Sequence, residues 1–192
     1  MSTPAPEFTG ERLIVMATGG IQTTLLPTWL DWLHTHYPAT QIRCVLTPSA
    51  LRFTTPLACS VFSGGQQPFT DTWNQDVDHA VHVELAEWSD GIIVHPATFH
   101  TVARLALGIA DTPMMLALQC TSAPVVICPA LPPGGADSPA YHSHTATLAE
   151  RPHTTVLPPT QGVSATTGHT EIGTAAFFPH ALTALQDLRE TL

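Results

Sequence analysis

The stretch HVELAEWSDGIIVHPATFHT, residues His82 to Thr101, decides the reading of this chain. Its first part spaces apolar residues for a short amphipathic helix, Val81 to Trp88. An apolar strand, Gly91 to His95, follows, and then a Pro-Ala-Thr turn opens another helix over Phe99 to Gly108. Strand ends that feed helix starts are where open α/β sheets bind phosphorylated cofactors, because free backbone N–H groups and the helix dipole converge there. A histidine delivered to the same edge supplies a titratable side chain and so points to chemistry there.

Outward from that stretch the rhythm repeats. Leu13 to Ala17 reads as a buried strand followed by the turn Thr18-Gly19-Gly20. From Ile21 to His36 apolar residues recur at helical spacing and stop before Pro38. Ile42 to Leu46 is a second buried strand, closed by Thr47-Pro48-Ser49 and a short helix around Ala50 to Thr54. An irregular Gly/Pro-rich stretch spans Thr55 to Asp76. Pro124 to Cys128 is another strand, and Phe177 to Leu192 closes the chain as a helix. Apolar strands alternating with amphipathic helices predict a doubly wound parallel α/β sheet in a single domain. Residues 130–173, rich in Pro, Gly, His and Thr, read as an irregular loop or lid with one strand at Thr154 to Leu157.

Composition narrows the function classes. The chain has 192 residues, 44% hydrophobic and only 11% charged, with six arginines, no lysine and a formal net charge of -9. Nothing here forms the basic stripe of a nucleic-acid binder, and no apolar run approaches the roughly 20 residues of a membrane span. So little surface charge implies that copies of the chain cover one another. Cys44, Cys59, Cys120 and Cys128 lack Cys-x-x-Cys spacing and read as reduced, buried thiols of a cytoplasmic protein.

Three candidate sites emerge. Gly19 and Gly20 permit close backbone approach ahead of a helix N-terminus, where a phosphate could sit; the plain alternative is a tight strand-to-helix turn. Thr47 and Ser49 could bond phosphate or ribityl oxygens while Phe53 flanks a flat ring; the alternative is a helix capped by Ser49 with Phe53 in the core. His82 accompanies Pro96, Ala97, Thr98 and Thr101. His79 and His82 share a helical face, but the His-x-x-x-His zinc spacing and an accompanying cysteine or carboxylate set are missing, so no metal is expected.

The ordered set Gly19-Gly20-Ile21, Thr47-Pro48-Ser49, His82 to Trp88, Pro96-Ala97-Thr98 and Gly108-Ile109-Ala110-Asp111 resembles the homo-oligomeric flavin-containing cysteine decarboxylases. That family includes phosphopantothenoylcysteine decarboxylase and the lantibiotic peptide decarboxylases. The resemblance runs from about Arg12 to Pro129. It implies a flavodoxin-like fold, FMN held near subunit interfaces, and assembly as trimers or multiples of trimers such as dodecamers. It makes His82 the catalytic residue and Gly19, Gly20, Ile21, Thr47, Ser49, Phe53, Pro96, Ala97, Thr98 and Thr101 the FMN contacts. The Pro96 to Thr101 segment matches the family's Pro-Ala-Ser-Ala-Asn-Thr motif, with His100 at the Asn position.

Another departure is larger. The family's substrate segment Pro-x-Met-Asn-x-x-Met-Trp is replaced by Pro129-Ala130-Leu131-Pro132-Pro133-Gly134-Gly135. Pro132 stands where an Asn engages the substrate carboxylate, and it has neither side-chain donor nor N–H. This argues against the coenzyme A pathway enzyme and for a peptide-tailoring relative. Leu131, Pro132 and Gly168, the last within a lid over Pro158 to Gly173, become the substrate contacts. The implied reaction oxidises a C-terminal cysteine of a precursor peptide by hydride loss from Cβ. Carbon dioxide then departs and leaves an enethiol for aminovinyl-cysteine formation, with the flavin carrying the hard step. Two rivals are a non-catalytic FMN-binding scaffold and a flavin prenyltransferase; the retained His82 speaks against the first. The Thr-Gly-Gly-Ile first loop and scarcity of basic residues speak against the second.

Overall fold

The computed structural model describes residues 5–73 and 79–192. Its centre is a six-stranded parallel sheet in the order β3-β2-β1-β4-β5-β6. The strands are β1 (Arg12–Ala17), β2 (Gln41–Leu46), β3 (Phe69–Thr70), β4 (Gly91–Thr98), β5 (Val125–Ala130) and β6 (Thr154–Val156). Leu13, Ile14, Val15 and Met16 are all fully buried because successive side chains enter opposite faces and both faces are covered.

On one face Leu13, Val15 and Ile93 pack against Leu30 and Leu33 of α1 (Leu26–His36) and Phe178 and Leu182 of α7 (Phe178–Thr191). On the other, Ile14, Met16, Ile92 and Val94 meet α3 (Val81–Trp88), α4 (Phe99–Ala106), α5 (Pro113–Cys120) and α6 (Pro139–Ala149) through Leu85, Val102, Met114 and Leu148. α2 (Pro56–Phe62) completes the first layer through Cys59. The doubly wound parallel sheet expected from the alternation, and the flavodoxin-like class implied by the resemblance, are therefore observed.

Several elements correct the expectation. The helix expected over 21–36 splits into a 3₁₀ turn, Ile21–Leu25, and α1, because Pro27 lacks an N–H and is accommodated in a helix's first turn. The short helix near Ala50 is a 3₁₀ turn, Ala50–Arg52. The stretch read as irregular from Thr55 contains α2 and β3, while its residues 74–76 lie outside the described residues. Residues 130–173 are not an irregular loop: they hold α6, β6 and an antiparallel hairpin of β7 (Thr160–Val163) and β8 (Thr170–Thr174).

Cys44, Cys59 and Cys128 are buried as expected, but Cys120 is exposed because it ends α5. No helix among the described residues is long and apolar enough to cross a membrane.

Candidate functional site

Chain order reverses at β1: its sequence neighbour β2 lies on one side, and β4 on the other. Loops leaving the carboxyl ends of β1 and β4 therefore part in opposite directions and open a crevice at the switch point, the place where such sheets take ligands. Thr18 fastens the two walls. Its hydroxyl donates to the Pro96 carbonyl at 2.7 Å and accepts from the Thr98 N–H at 2.9 Å, and its own carbonyl receives the Thr23 hydroxyl at 2.6 Å. The His95–Pro96 bond is cis.

Gly19 then passes so close to the β2 loop that an added methyl would stand 2.5 Å from Ser49 Cβ, well inside contact distance. A methyl on Gly20 would come within 3.4 Å of Pro96. Gly19 thus closes one wall of the crevice against the β2 loop, with no room for a side chain there. Across it, the Thr47 hydroxyl accepts from the Ala50 N–H at 3.2 Å. Ser49 is exposed at the rim, and Phe53 is half-buried where the 3₁₀ turn ends. Thr98 caps α4, accepting from the Thr101 N–H at 3.4 Å and sharing a 3.0 Å hydroxyl contact with the buried Thr101. Pro96 and Ala97 are buried in strand β4, so they offer the crevice chiefly backbone, and Ile21 points outward at 56% exposure.

His82 lies on the same edge of the sheet but on the first turn of α3. There it lines a cleft of about 100 Å³ with Phe69, Thr72, Trp73 and Pro113. The structure brings the β1, β2 and β4 candidates together and leaves His82 on the adjoining β3–α3 side. Its Nδ1 is buried with no hydrogen-bond partner among the described residues, and its ring meets Trp73 edge-on at 5.7 Å.

Beneath that cleft lies a polar cluster of which the sequence reading named only Asp111, as part of a motif. Asp71, fully buried, accepts from the Thr112 hydroxyl at 2.7 Å and the Met114 N–H at 2.8 Å. Burial raises its carboxyl pKa in spite of those bonds. Arg104 of α4 pairs with Asp111, and burial lowers its guanidinium pKa. The Trp73 indole N–H donates to the Asp111 carbonyl at 2.8 Å.

The substrate candidates separate. Leu131 N–H donates to the Gly173 carbonyl at 2.8 Å, so Leu131 and Pro132 sit at the root of the β7–β8 hairpin. Gly168, with φ +71, turns the chain at its tip. Two bonds tie the end of that hairpin back to the crevice walls. Ala175 N–H donates to Gln22 Oε1 at 2.7 Å, and His95 Nε2 donates to the Ala176 carbonyl at 2.8 Å.

A family model described as Flavoprotein matches residues 1–183. A Streptomyces protein named cypemycin cysteine dehydrogenase (decarboxylating) is 34% identical over 186 residues, covering 96% of this chain and 95% of its own. The crystal structure of the cypemycin decarboxylase CypD superposes with a TM-score of 0.81 at 32% identity over 98% of both chains. That of the FMN-dependent cysteine decarboxylase SpaF gives 0.78 at 26% identity, covering 93% of this chain and 97% of that one. With its switch-point crevice, its glycine-lined first loop and these matches along nearly its whole length, the chain belongs to the flavoprotein family.

Proposed function

We propose that the protein is an FMN-dependent enzyme that oxidatively decarboxylates the C-terminal cysteine of a ribosomal precursor peptide, releasing an enethiol for aminovinyl-cysteine formation. The observation that carries this reading is the pairing of a glycine-lined crevice at the β1/β4 switch point with a histidine on the same sheet edge. Similarity to a cysteine decarboxylase along almost the full chain supports it.

FMN fits the residues present. A methyl at Gly20 would project between Pro96 and Ala130, into the crevice that the glycine leaves open. The first-turn N–H groups of α4 and the hydroxyls of Thr47, Ser49 and Thr98 provide donors for phosphate and ribityl oxygens without a cationic side chain. When bound, FMN supplies the two-electron acceptor for a hydride from the cysteine Cβ. His82 takes the thiol proton, so that electron density on sulfur can drive that loss. The resulting carbon–sulfur double bond accepts the electron pair left when carbon dioxide departs, and proton return gives the enethiol. Pro132 and the already bonded Leu131 N–H offer the substrate carboxylate no donor, so this enzyme holds its peptide differently from relatives with an Asn there.

The active assembly is a homo-oligomer, a trimer or a multiple such as a dodecamer, working in the cytoplasm on thiols that stay reduced. Ile21, Leu25, Leu57, Val61 and Phe62, all exposed, supply apolar surface for contacts between copies. Incubation with peptides ending in cysteine, read by mass spectrometry, is the test. A yellow protein that removes the mass of carbon dioxide plus two hydrogens is expected. His82→Asn retains flavin and slows turnover by about 10²- to 10⁴-fold. A protein unable to take up FMN overturns the reading.

A further inference from the structure

We propose that Trp73 is a positioning residue for His82, held in place by the Asp111 backbone and the Arg104–Asp111–Asp71 cluster behind it; this rests on the catalytic role given to His82 above. A histidine that moves a proton usually has its ring orientation fixed by a hydrogen bond from its other nitrogen. In His82 that device is missing among the described residues, since Nδ1 is buried without a partner. Packing is the constraint that the described residues supply, and the indole of Trp73 stands against the ring edge-on at 5.7 Å and an interplanar angle of 70°.

Trp73 is 51% exposed, so burial alone does not hold it. Its N–H does, by donating to the Asp111 carbonyl at 2.8 Å. The Asp111 carboxylate is in turn clamped by Arg104, whose guanidinium also reaches the Thr112 hydroxyl. Thr112 and the Met114 N–H both close on Asp71, two residues before Trp73. The indole is thus held at its N–H by Asp111, and its chain is anchored two residues earlier at Asp71. Arg104 lies on α4, the helix capped by Thr98 at the crevice, so the same helix that borders the cofactor space anchors the group that aims the base.

A displaced base lowers turnover without weakening substrate binding, and a misplacement of about 1 Å can cost about 100-fold. Trp73→Ala is expected to lower kcat about 10- to 100-fold with peptide KM and visible flavin absorbance unchanged. Trp73→Phe keeps an aromatic edge but loses the N–H, and should recover most of that, leaving a deficit of about three- to tenfold. A measurement independent of turnover is carbethoxylation of His82 by diethylpyrocarbonate, followed by peptide mapping against the other histidines. It should quicken several-fold in Trp73→Ala and less in Trp73→Phe.

The proposal fails if both variants match the wild type in kcat and His82 labelling, if only KM rises, or if flavin is lost with the ring. Faster His82 labelling in Trp73→Ala than in wild type, where the wild type itself never decarboxylates, would leave the Trp73 contact standing and overturn the enzymatic reading instead.

Discussion

The crevice between β1 and β4 and the hairpin of β7 and β8 both stand at the working end of the molecule, yet they are held by different means. In the crevice, Thr18 uses one hydroxyl to join two loops, and Gly19 touches Ser49 so closely that no side chain fits. In the hairpin, Val163 and Ile172 lie exposed and the strands are tied down mainly at the root, through Leu131 and Gly173. The first region is fixed before any ligand arrives, and the second presents apolar side chains that only a ligand or another copy would cover. A cofactor that stays bound suits the former, and a peptide that comes and goes suits the latter.

The largest effect is expected where the crevice is tightest. Gly19→Ala forces a methyl against Ser49, and overpacking of that kind costs about 1–3 kcal/mol. Flavin affinity should drop about 10- to 100-fold in an apoprotein titration followed by absorbance. Adding Ser49→Gly removes the clash while giving up one hydroxyl, so the double variant recovers part of the loss. Equal affinity in Gly19→Ala and wild type would show that the crevice is not where the cofactor sits.

A smaller and different effect belongs to the hairpin. Thr160 faces Thr174 in the ladder, so residues 161–172 can be replaced by a short Gly-Ser turn without stretching the chain. Peptide KM should rise about tenfold, the loss of roughly 1.4 kcal/mol of binding, while flavin content stays the same. Limited proteolysis sharpens the point: cleavage near Gly168 should slow when peptide is added. Equal cleavage in both states would remove the hairpin's role as a lid.

The same contrast explains what the sequence made legible. The crevice could be read because its constraints are local: a glycine pair after an apolar strand and a threonine before a helix each carry their reason within a few residues. The helix that carries His82, Val81 to Trp88, is legible in the same way from its apolar spacing. What escaped is instructive. Helices α2, α5 and α6 begin at Thr55-Pro56, Thr112-Pro113 and Ser138-Pro139, with proline in the first turn in every case. Proline there is a start signal, since the missing N–H is one a helix leaves unpaired anyway, but in a chain with 18 prolines it reads as irregularity. The cluster of Asp71, Arg104 and Asp111 escaped for another reason. Asp71 is far in sequence from Arg104 and Asp111, and only the packing of α4 and α5 against the β3 loop brings them together.

The two regions meet at Ala175 and Ala176, and there pH offers the finest test. His95 is buried in β4 beside Pro96, and its Nε2 reaches the Ala176 carbonyl just before α7. Burial holds its pKa below the ordinary histidine value, outweighing the carbonyl's pull in the other direction. The unfolded chain therefore binds a proton at His95 near pH 6.5 that the folded chain refuses. The contribution is complete above that pH and is lost as pH falls toward the lower folded value, because in that window the unfolded state holds more protons. The melting temperature should decline from about pH 7 to pH 5 more steeply in wild type than in His95→Gln, by the order of a few degrees. If the joint ties the hairpin to the crevice, hydrogen-exchange protection factors in β8, corrected for the intrinsic pH dependence of exchange, should fall over the same range while those in β1 hold. Parallel slopes for the two proteins would mean that His95 is not the titrating link between them.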